Sequence, residues 1–319
     1  MNNGACIADR YKIEKSISNA GGMASVYLAN LVSNSSMKVA IKFARTGNHG
    51  PEHEDALLQR EADLLSRWDW RHPGIVRLYP TPLGETKSEY CLRALNVADQ
   101  PWYMVMEYLS GGSLSQNAKK IQSYPLEWKL EMFYQVLTAV GFIHQKGYGH
   151  RDLKPENIVF RRSISPNEMP QPVLIDFALA SDGKSGSPLV ETSYTLEYAS
   201  PERVALGMGL IDDCLDPRKS DVWSLGIMLY ELLTGELPIK GNKEKIRTTL
   251  ISSGIDDVVA NADYTRHMNI RRDEASQKGA LLAQFIRKMV TRDLTRRLDV
   301  KALIYAFEEY FYPPRISSN

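Results

Sequence analysis

Cysteine is scarce. Cys6, Cys91 and Cys214 are the only three in a chain of 319 residues, too few and too scattered for a disulfide framework or a structural zinc site. They read as reduced thiols. Long apolar runs are missing as well. The longest, Val222 to Tyr230, is interrupted by Ser224 and bounded by Asp221 and Glu231, well short of a membrane span. The first ten residues hold no apolar signal core. The expectation is a soluble, cytoplasmic chain with no membrane span of its own; a downstream anchor in a longer parent protein is left open. Excess charge of either sign is absent too. Lys and Arg number 39 against 38 Asp and Glu, a net charge of +1, which gives no global electrostatic case for nucleic acid or an anionic membrane. No internal repeat or low-complexity tract stands out.

What is present is ordinary globular material. Hydrophobic residues make up 43% and charged residues 24%, which argues against wholesale disorder, collagen or a coiled coil. The length suggests about two domains. Tyr11–Ser16, Ala24–Asn30 and Met37–Phe43 are short, rich in Val, Ile and Tyr, and separated by Gly, Asn and Ser, which predicts strands. A helical pattern runs from about Glu52 to Trp68. From Leu126 onward helical periods dominate. Leu130, Phe133, Leu137 and Val140 share one face of a helix ended by Lys146 and Gly147. Val222, Leu225, Leu229 and Leu232 share a face of another ended by Gly235, and Ala280–Val290 forms a third. Pro80–Pro101, Arg161–Pro172 and Gly207–Arg218 are rich in turn formers and read as inserted, solvated loops. A β-rich unit over residues 1–108 followed by a helical unit over 109–319 is expected.

The chemistry begins with Asn19, Gly21, Gly22 and Ala24 between two strand-like runs. Glycine lets backbone approach phosphates closely, although a Gly-Gly pair in a hairpin is ordinarily just a turn. Next comes Val39-Ala40-Ile41-Lys42. Side chains alternate along a strand, so Met37, Val39, Ile41 and Phe43 share an apolar face, and Lys38, Ala40 and Lys42 the other. Ala40 leaves room for a flat ligand within reach of Lys42. In the following helix Leu58, Glu61, Leu65 and Trp68 share one face. Glu61 therefore lies on an apolar stripe, where a carboxylate is costly unless paired, and Lys42 is the candidate partner. The run His150-Arg151-Asp152-Leu153-Lys154-Pro155-Glu156-Asn157 is dense in polar chemistry. Asp152 can accept a proton from a hydroxyl, Lys154 can neutralise a phosphoryl group, and Asn157 can offer an oxygen to magnesium, which favours a few oxygens plus phosphates and water. Asp176 follows the apolar strand Val173-Leu174-Ile175 and is placed to hold the same metal.

With these residues in view, the chain resembles the protein kinase family. The landmarks run in order from about Tyr11 to Tyr305: the glycine-rich loop, Lys42, Glu61, His72-Pro73, His150-Arg151-Asp152 with Asn157, Asp176-Phe177, Ser200-Pro201-Glu202, Asp221 to Gly226, and Arg297. The loop at Gly21-Gly22-Met23 and the segment Tyr198 to Glu202 resemble bacterial eukaryotic-like Ser/Thr kinases. The resemblance implies an α+β, bilobal kinase-like fold, with a small β-rich N-lobe carrying one main helix and a larger, mostly helical C-lobe. It implies ATP and Mg2+, and protein substrates with Ser or Thr acceptors, with autophosphorylation. Lys42, held by Glu61, would grip the α/β-phosphates. Asn19, Gly21, Gly22, Val26, Ala40, Met106, backbone groups of Glu107 and Leu109, and Val159 would enclose the nucleotide. Asn157 and Asp176 would hold magnesium, Asp152 would act as base, and Lys154 would stand near the γ-phosphate. Leu65, Leu78, His150 and Phe177 would stack into a column. Glu202 and Arg297 would pair, and Asp221 would brace the catalytic loop. Lys154, and Thr195 seven residues before Glu202, match the Ser/Thr-directed pattern.

The sequence departs from the family at three places. Asn19 and Ala24 stand where the loop usually has glycine; Asn19 tolerates left-handed backbone and Ala24 adds one methyl. Ala178 stands where glycine normally follows Asp176-Phe177, which is expected to make an outward flip of Phe177 rarer. Glu191, eleven residues before Glu202, either mimics an activating phosphate toward Arg151 or is a solvated loop charge; Thr192 and Ser193 beside it are candidate phosphorylation sites. A nucleotide-binding pseudokinase scaffold is the alternative, disfavoured because Lys42, Glu61, Asp152, Asn157 and Asp176 are all present. A small-molecule phosphotransferase is disfavoured by the Thr195–Glu202 segment.

Overall fold

The computed structural model describes residues 3–18, 24–44, 51–68, 71–83, 87–183, 194–211, 216–252, 254–264 and 272–312. Asn19, Gly21, Gly22, Cys214, Glu191, Thr192 and Ser193 lie outside the described residues. The chain forms two compact units, Met1–Ser110 with Ile175–Ala178, and Gly111–Leu174 with Leu179–Asn319. Ile175–Ala178 returns to the first unit because Asp176 and Phe177 bond to Lys42 and Glu61 there.

In the first unit, β1 (Cys6–Ile7), β2 (Tyr11–Ser18), β3 (Ala24–Leu31) and β4 (Asn34–Ala44) form an antiparallel meander. It continues through β9 (Trp102–Glu107) to β5 (Leu78–Tyr79). The predicted alternation governs β4. Val39, Ile41 and Phe43 enter a core cluster with Ile7, Tyr11, Ile13, Ala29, Ala94, Tyr103 and Val105. Ala40 and Lys42 occupy the opposite face and are buried as well, because helix α1 (Pro51–Trp68) packs on β4 and β9. Its stripe is buried throughout, including Leu58, Glu61, Leu65 and Trp68.

The segment Pro80–Pro101 differs from its expected loop. It carries β6 (Thr81–Leu83) paired with β7 (Lys87–Glu89), and β8 (Leu92–Arg93) paired with β9. Strands of two or three residues are too short to show a period, so turn-forming neighbours hid them. Asn96 then donates from Nδ2 to the carbonyl of Cys6 at 2.6 Å, tying this segment to the strand at the far end of the sheet.

The second unit comprises α2 (Leu114–Gln122), α3 (Leu126–Gln145), a short hairpin of β10 (Ile158–Phe160) and β11 (Pro172–Leu174), then α4 (Pro201–Gly207), α5 (Pro217–Thr234), α6 (Lys243–Ser252), α7 (Asp256–Ala260), α8 (Arg272–Met289) and α9 (Val300–Phe311). Ser113 caps α2 in a reciprocal capping box with Gln116. Gly235 ends α5 at φ 78°, a left-handed position that glycine adopts without strain. Helix α8 starts eight residues before the expected Ala280, since its first two turns are polar and carry no apolar period. No helix among the described residues is long and apolar enough to cross a membrane.

Helix α5 is the buried axis of this unit: Val222, Trp223, Leu225, Ile227 and Leu229 are all at or below 1% exposed. It crosses α8 at Gly226, where a Cβ would meet Val290 Cγ1 at 2.5 Å and Met289 Cβ at 2.9 Å. Gly226→Val should therefore overpack the crossing and destabilise the fold by about 1–3 kcal/mol, seen as a lower midpoint in chemical denaturation. A wild-type midpoint would show that the crossing can open without cost.

Candidate active site

In the first unit one ammonium is shared by two carboxylates. Lys42 Nζ donates to Glu61 Oε2 at 2.6 Å and to Asp176 Oδ1 at 2.7 Å. Lys42 is placed by the register of β4, opposite Val26 on β3 and Met104 on β9. Glu61 is placed by the helical spacing of α1. Burial alone would favour the neutral amine, but Asp176 and Glu61 outweigh it and hold the Lys42 pKa above the ordinary lysine range. Lys42 therefore stays charged across physiological pH. Glu61 uses its other oxygen, Oε1, to accept the N–H of Phe177 at 3.0 Å. The Phe177 ring packs edge-to-face on Trp68 with centroids 5.2 Å apart. Asp176 has φ 62°, left-handed backbone that aspartate tolerates better than most residues; Ala178 beside it is not left-handed.

Ala40 and Met106, also expected around a nucleotide, are positioned by the same sheet. Ala40 is buried and faces Met106 in register, and Met106 also pairs with Leu78. Glu107 ends β9; its N–H donates to the carbonyl of Arg77 at 2.9 Å and its Oε1 accepts the Arg77 N–H at 3.0 Å. Its own N–H is thus already engaged. Leu109 follows, half-buried. Val159 lies on β10 of the second unit, bridged to Ser113.

The second unit centres on Asp152. Lys154 Nζ donates to Asp152 Oδ2 at 2.7 Å and to Thr195 Oγ1 at 2.9 Å, and Thr195 Oγ1 donates to Asp152 Oδ1 at 3.0 Å. Asn157 Nδ2 donates to the carbonyl of Asp152 at 2.8 Å and to its Oδ2 at 3.0 Å. Both amide protons of Asn157 are used, so its Oδ1 is the atom left to meet a cation. The sequence marks Thr195 as a sign of acceptor type and as the start of the Thr195–Glu202 segment; its place in this network is not legible there, since a threonine 43 residues along carries no local signal.

The backbone beneath Asp152 is held by α5. Asp221, 1% exposed, accepts the N–H groups of His150 and Arg151, each at 2.7 Å, and faces His144 Nε2 at 2.9 Å. These bonds keep Arg151 at φ 70°, a conformation that costs a non-glycine residue about 1–3 kcal/mol. Further down, Arg297 Nη1 and Nη2 reach Glu202 Oε1 at 2.6 Å and Oε2 at 3.1 Å, with the guanidinium over Trp223.

A family model described as a protein kinase domain matches residues 11–307, and the chain belongs to that family. A probable serine/threonine-protein kinase PknB of Lactococcus lactis is 30% identical over 75% of this chain and 34% of its own length. The serine/threonine-protein kinase PrkC of Bacillus subtilis is 32% identical over 75% of this chain and 32% of its own. Human ribosomal protein S6 kinase alpha-4 is 34% identical over 59% of this chain and 21% of its own. The chain thus spans about a third of the length of the bacterial relatives.

The Arg297–Glu202 pair is almost fully buried, its side chains 0% and 8% exposed. Arg297→Met should leave Glu202 as an uncompensated buried charge and cost about 3–5 kcal/mol. Urea denaturation followed by fluorescence measures this directly, and a loss below the level of a surface pair would contradict it.

Proposed function

We propose that this chain is a serine/threonine protein kinase domain that transfers the γ-phosphate of ATP to the hydroxyl of Ser or Thr in protein substrates, with Mg2+ as cofactor and with autophosphorylation. The observation that carries the reading is the Asp152 carboxylate, oriented on both oxygens by Lys154, Asn157 and Thr195.

The chemistry of the donor set supports the proposed nucleotide and metal. Magnesium takes few protein ligands and completes its shell with phosphates and water. Asn157 Oδ1 and the Asp176 carboxylate are the hard oxygens that would hold it. Bound there, magnesium would neutralise phosphate charge. Lys42 would bind the α/β-phosphates, oriented by Glu61. The adenine would lie against Val26, Ala40 and Val159, beside Met106, with backbone groups at Glu107 and Leu109 meeting its edge. Asn19, Gly21 and Gly22 would cover the phosphates. Asp152 takes the proton of the substrate hydroxyl as its oxygen attacks the γ-phosphorus. The bond to the β–γ bridging oxygen breaks, leaving a phosphoester and ADP. Lys154 offsets the charge on the moving phosphoryl group. Residues Thr195–Glu202 would form the shelf on which the peptide docks.

Two substitutions test this. Asp152→Asn should lower the rate of transfer to a Ser/Thr peptide by about 10²–10⁴-fold. Lys42→Met should largely abolish turnover while leaving the fold intact, as read by circular dichroism. Phosphopeptide mass spectrometry after incubation with ATP and magnesium reads acceptor type and autophosphorylation together. A wild-type protein that binds ATP without turnover would point to the scaffold alternative, and a Lys42→Met protein with full activity would remove that lysine from the site.

A further inference from the structure

We infer that Arg203 is a positioning residue for the catalytic loop: its guanidinium holds the carbonyl of Arg151 and so fixes the peptide plane that leads into Asp152. This inference deepens the phosphotransfer reading and rests on it for its kinetic consequence.

The peptide from His150 to Asp152 is held from two directions by charge. On one side the Asp221 carboxylate takes the N–H groups of His150 and Arg151. On the other, Arg203 Nη1 donates to the carbonyl oxygen of Arg151. Hydrogen bonds with one ionised partner are the strong ones. Between these two clamps Arg151 sits at φ 70°, where a branched or long side chain does not stay unaided. The N–H of the same Arg151–Asp152 peptide donates to His150 Nδ1 at 3.3 Å, and the Arg203 guanidinium adds a charged hold on its carbonyl against rotation about the Arg151 ψ. That rotation swings the following residue, Asp152, whose carboxylate must meet a hydroxyl within hydrogen-bond reach.

Arg203 is itself fixed. It is 7% exposed and follows Glu202, which is tied to Arg297. The ring of Tyr194 lies under its Cζ at 5.7 Å. Tyr194 is seated on Gly207, where a Cβ would come within 2.7 Å of the ring. The segment from Tyr194 to Gly207, which includes the proposed peptide shelf, is thus mechanically linked to the peptide bond before the base. The position is electrostatically expensive: burial and then the neighbouring Arg151 pull the Arg203 pKa down to about 10. A guanidinium kept beside a like charge needs strong polar partners, and the Arg151 carbonyl is one. None of this was visible in the sequence, where Arg203 is one more basic residue after the Ser-Pro-Glu landmark.

The experiment compares wild type, Arg203→Met, Arg203→Lys, Arg203→Ala and Tyr194→Leu. It reads kcat and KM on a Ser/Thr peptide, ATP affinity by calorimetry, and amide hydrogen exchange by mass spectrometry. Arg203→Met should lower kcat by about 10²-fold, the scale of an ångström-level misplacement, with ATP affinity unchanged and faster exchange confined to His150–Leu153. Arg203→Lys should fall between, because it keeps the charge but not the planar fork. Methylguanidinium added to Arg203→Ala should recover part of the rate. If Arg203→Met does not accumulate as folded protein, Arg203→Lys and Tyr194→Leu carry the same signature at smaller amplitude. Wild-type kcat and exchange in the folded variants would overturn the inference. So would exchange that rises throughout the second unit in step with lost ATP binding, the mark of a merely structural residue. A wild type inert on Ser/Thr peptides would instead defeat the kinase reading, and exchange at His150–Leu153 would still decide the role of Arg203.

Discussion

Asp221 lies on the most enclosed helix of the second unit, and its two oxygens serve two backbone N–H groups and face the imidazole of His144. A carboxylate 1% exposed is expensive to keep unless each lone pair has a donor. The donors here are peptide groups that no regular ladder satisfies, so one side chain resolves two deficits. The helix supplies an unmoving charge, and the loop supplies N–H groups that would otherwise need water. Asp152, Lys154 and Asn157 follow within seven residues, and their geometry inherits whatever precision that anchor has. The apolar packing of α5 around Trp223 and Leu225 therefore has a chemical consequence as well as a stabilising one.

The first unit solves a different problem. Its buried ammonium, Lys42, has two carboxylate partners of unequal standing. Glu61 is 1% exposed and holds the Phe177 N–H with its second oxygen; the Asp176 side chain is 41% exposed. An arriving anion that sought Lys42 would compete with Asp176 far more easily than with Glu61. The inner partner sets the position of the cation, and the outer one keeps it neutralised until something replaces it.

Much of this was legible in the sequence because the critical residues sit on regular elements. Strand alternation put Ala40 and Lys42 on one face, and helical spacing put Glu61 on the buried stripe of α1. Gly235 and Gly147 marked helix ends through backbone conformations that only glycine takes cheaply. The rest depended on contacts between residues far apart in the chain. The direct bond between Lys42 and Asp176 spans 134 residues, and the place of Thr195 beside Asp152 spans 43; neither leaves a period or a local motif. The polar first turns of α8 and the short strands after Pro80 failed for the opposite reason. They are local, but too polar or too brief for hydrophobic patterning to register.

The split edge strand of the first unit has an implication for how this domain can vary. Leu78 and Tyr79 pair with Met106 and Val105, and pairing resumes with Leu92 and Arg93 opposite Tyr103 and Trp102. Residues 80–91 therefore take the place of a single residue opposite Met104. The ladder on either side keeps its register, and Met106 stays opposite Ala40. Because the free energy of closing a loop rises only slowly with its length, the β6–β7 hairpin can lengthen, shorten or change sequence without altering the spacing of the strands beneath Lys42. The fold thus carries an adjustable appendage on a fixed ladder, a place where the surface can change while the strand that carries Lys42 stays in register.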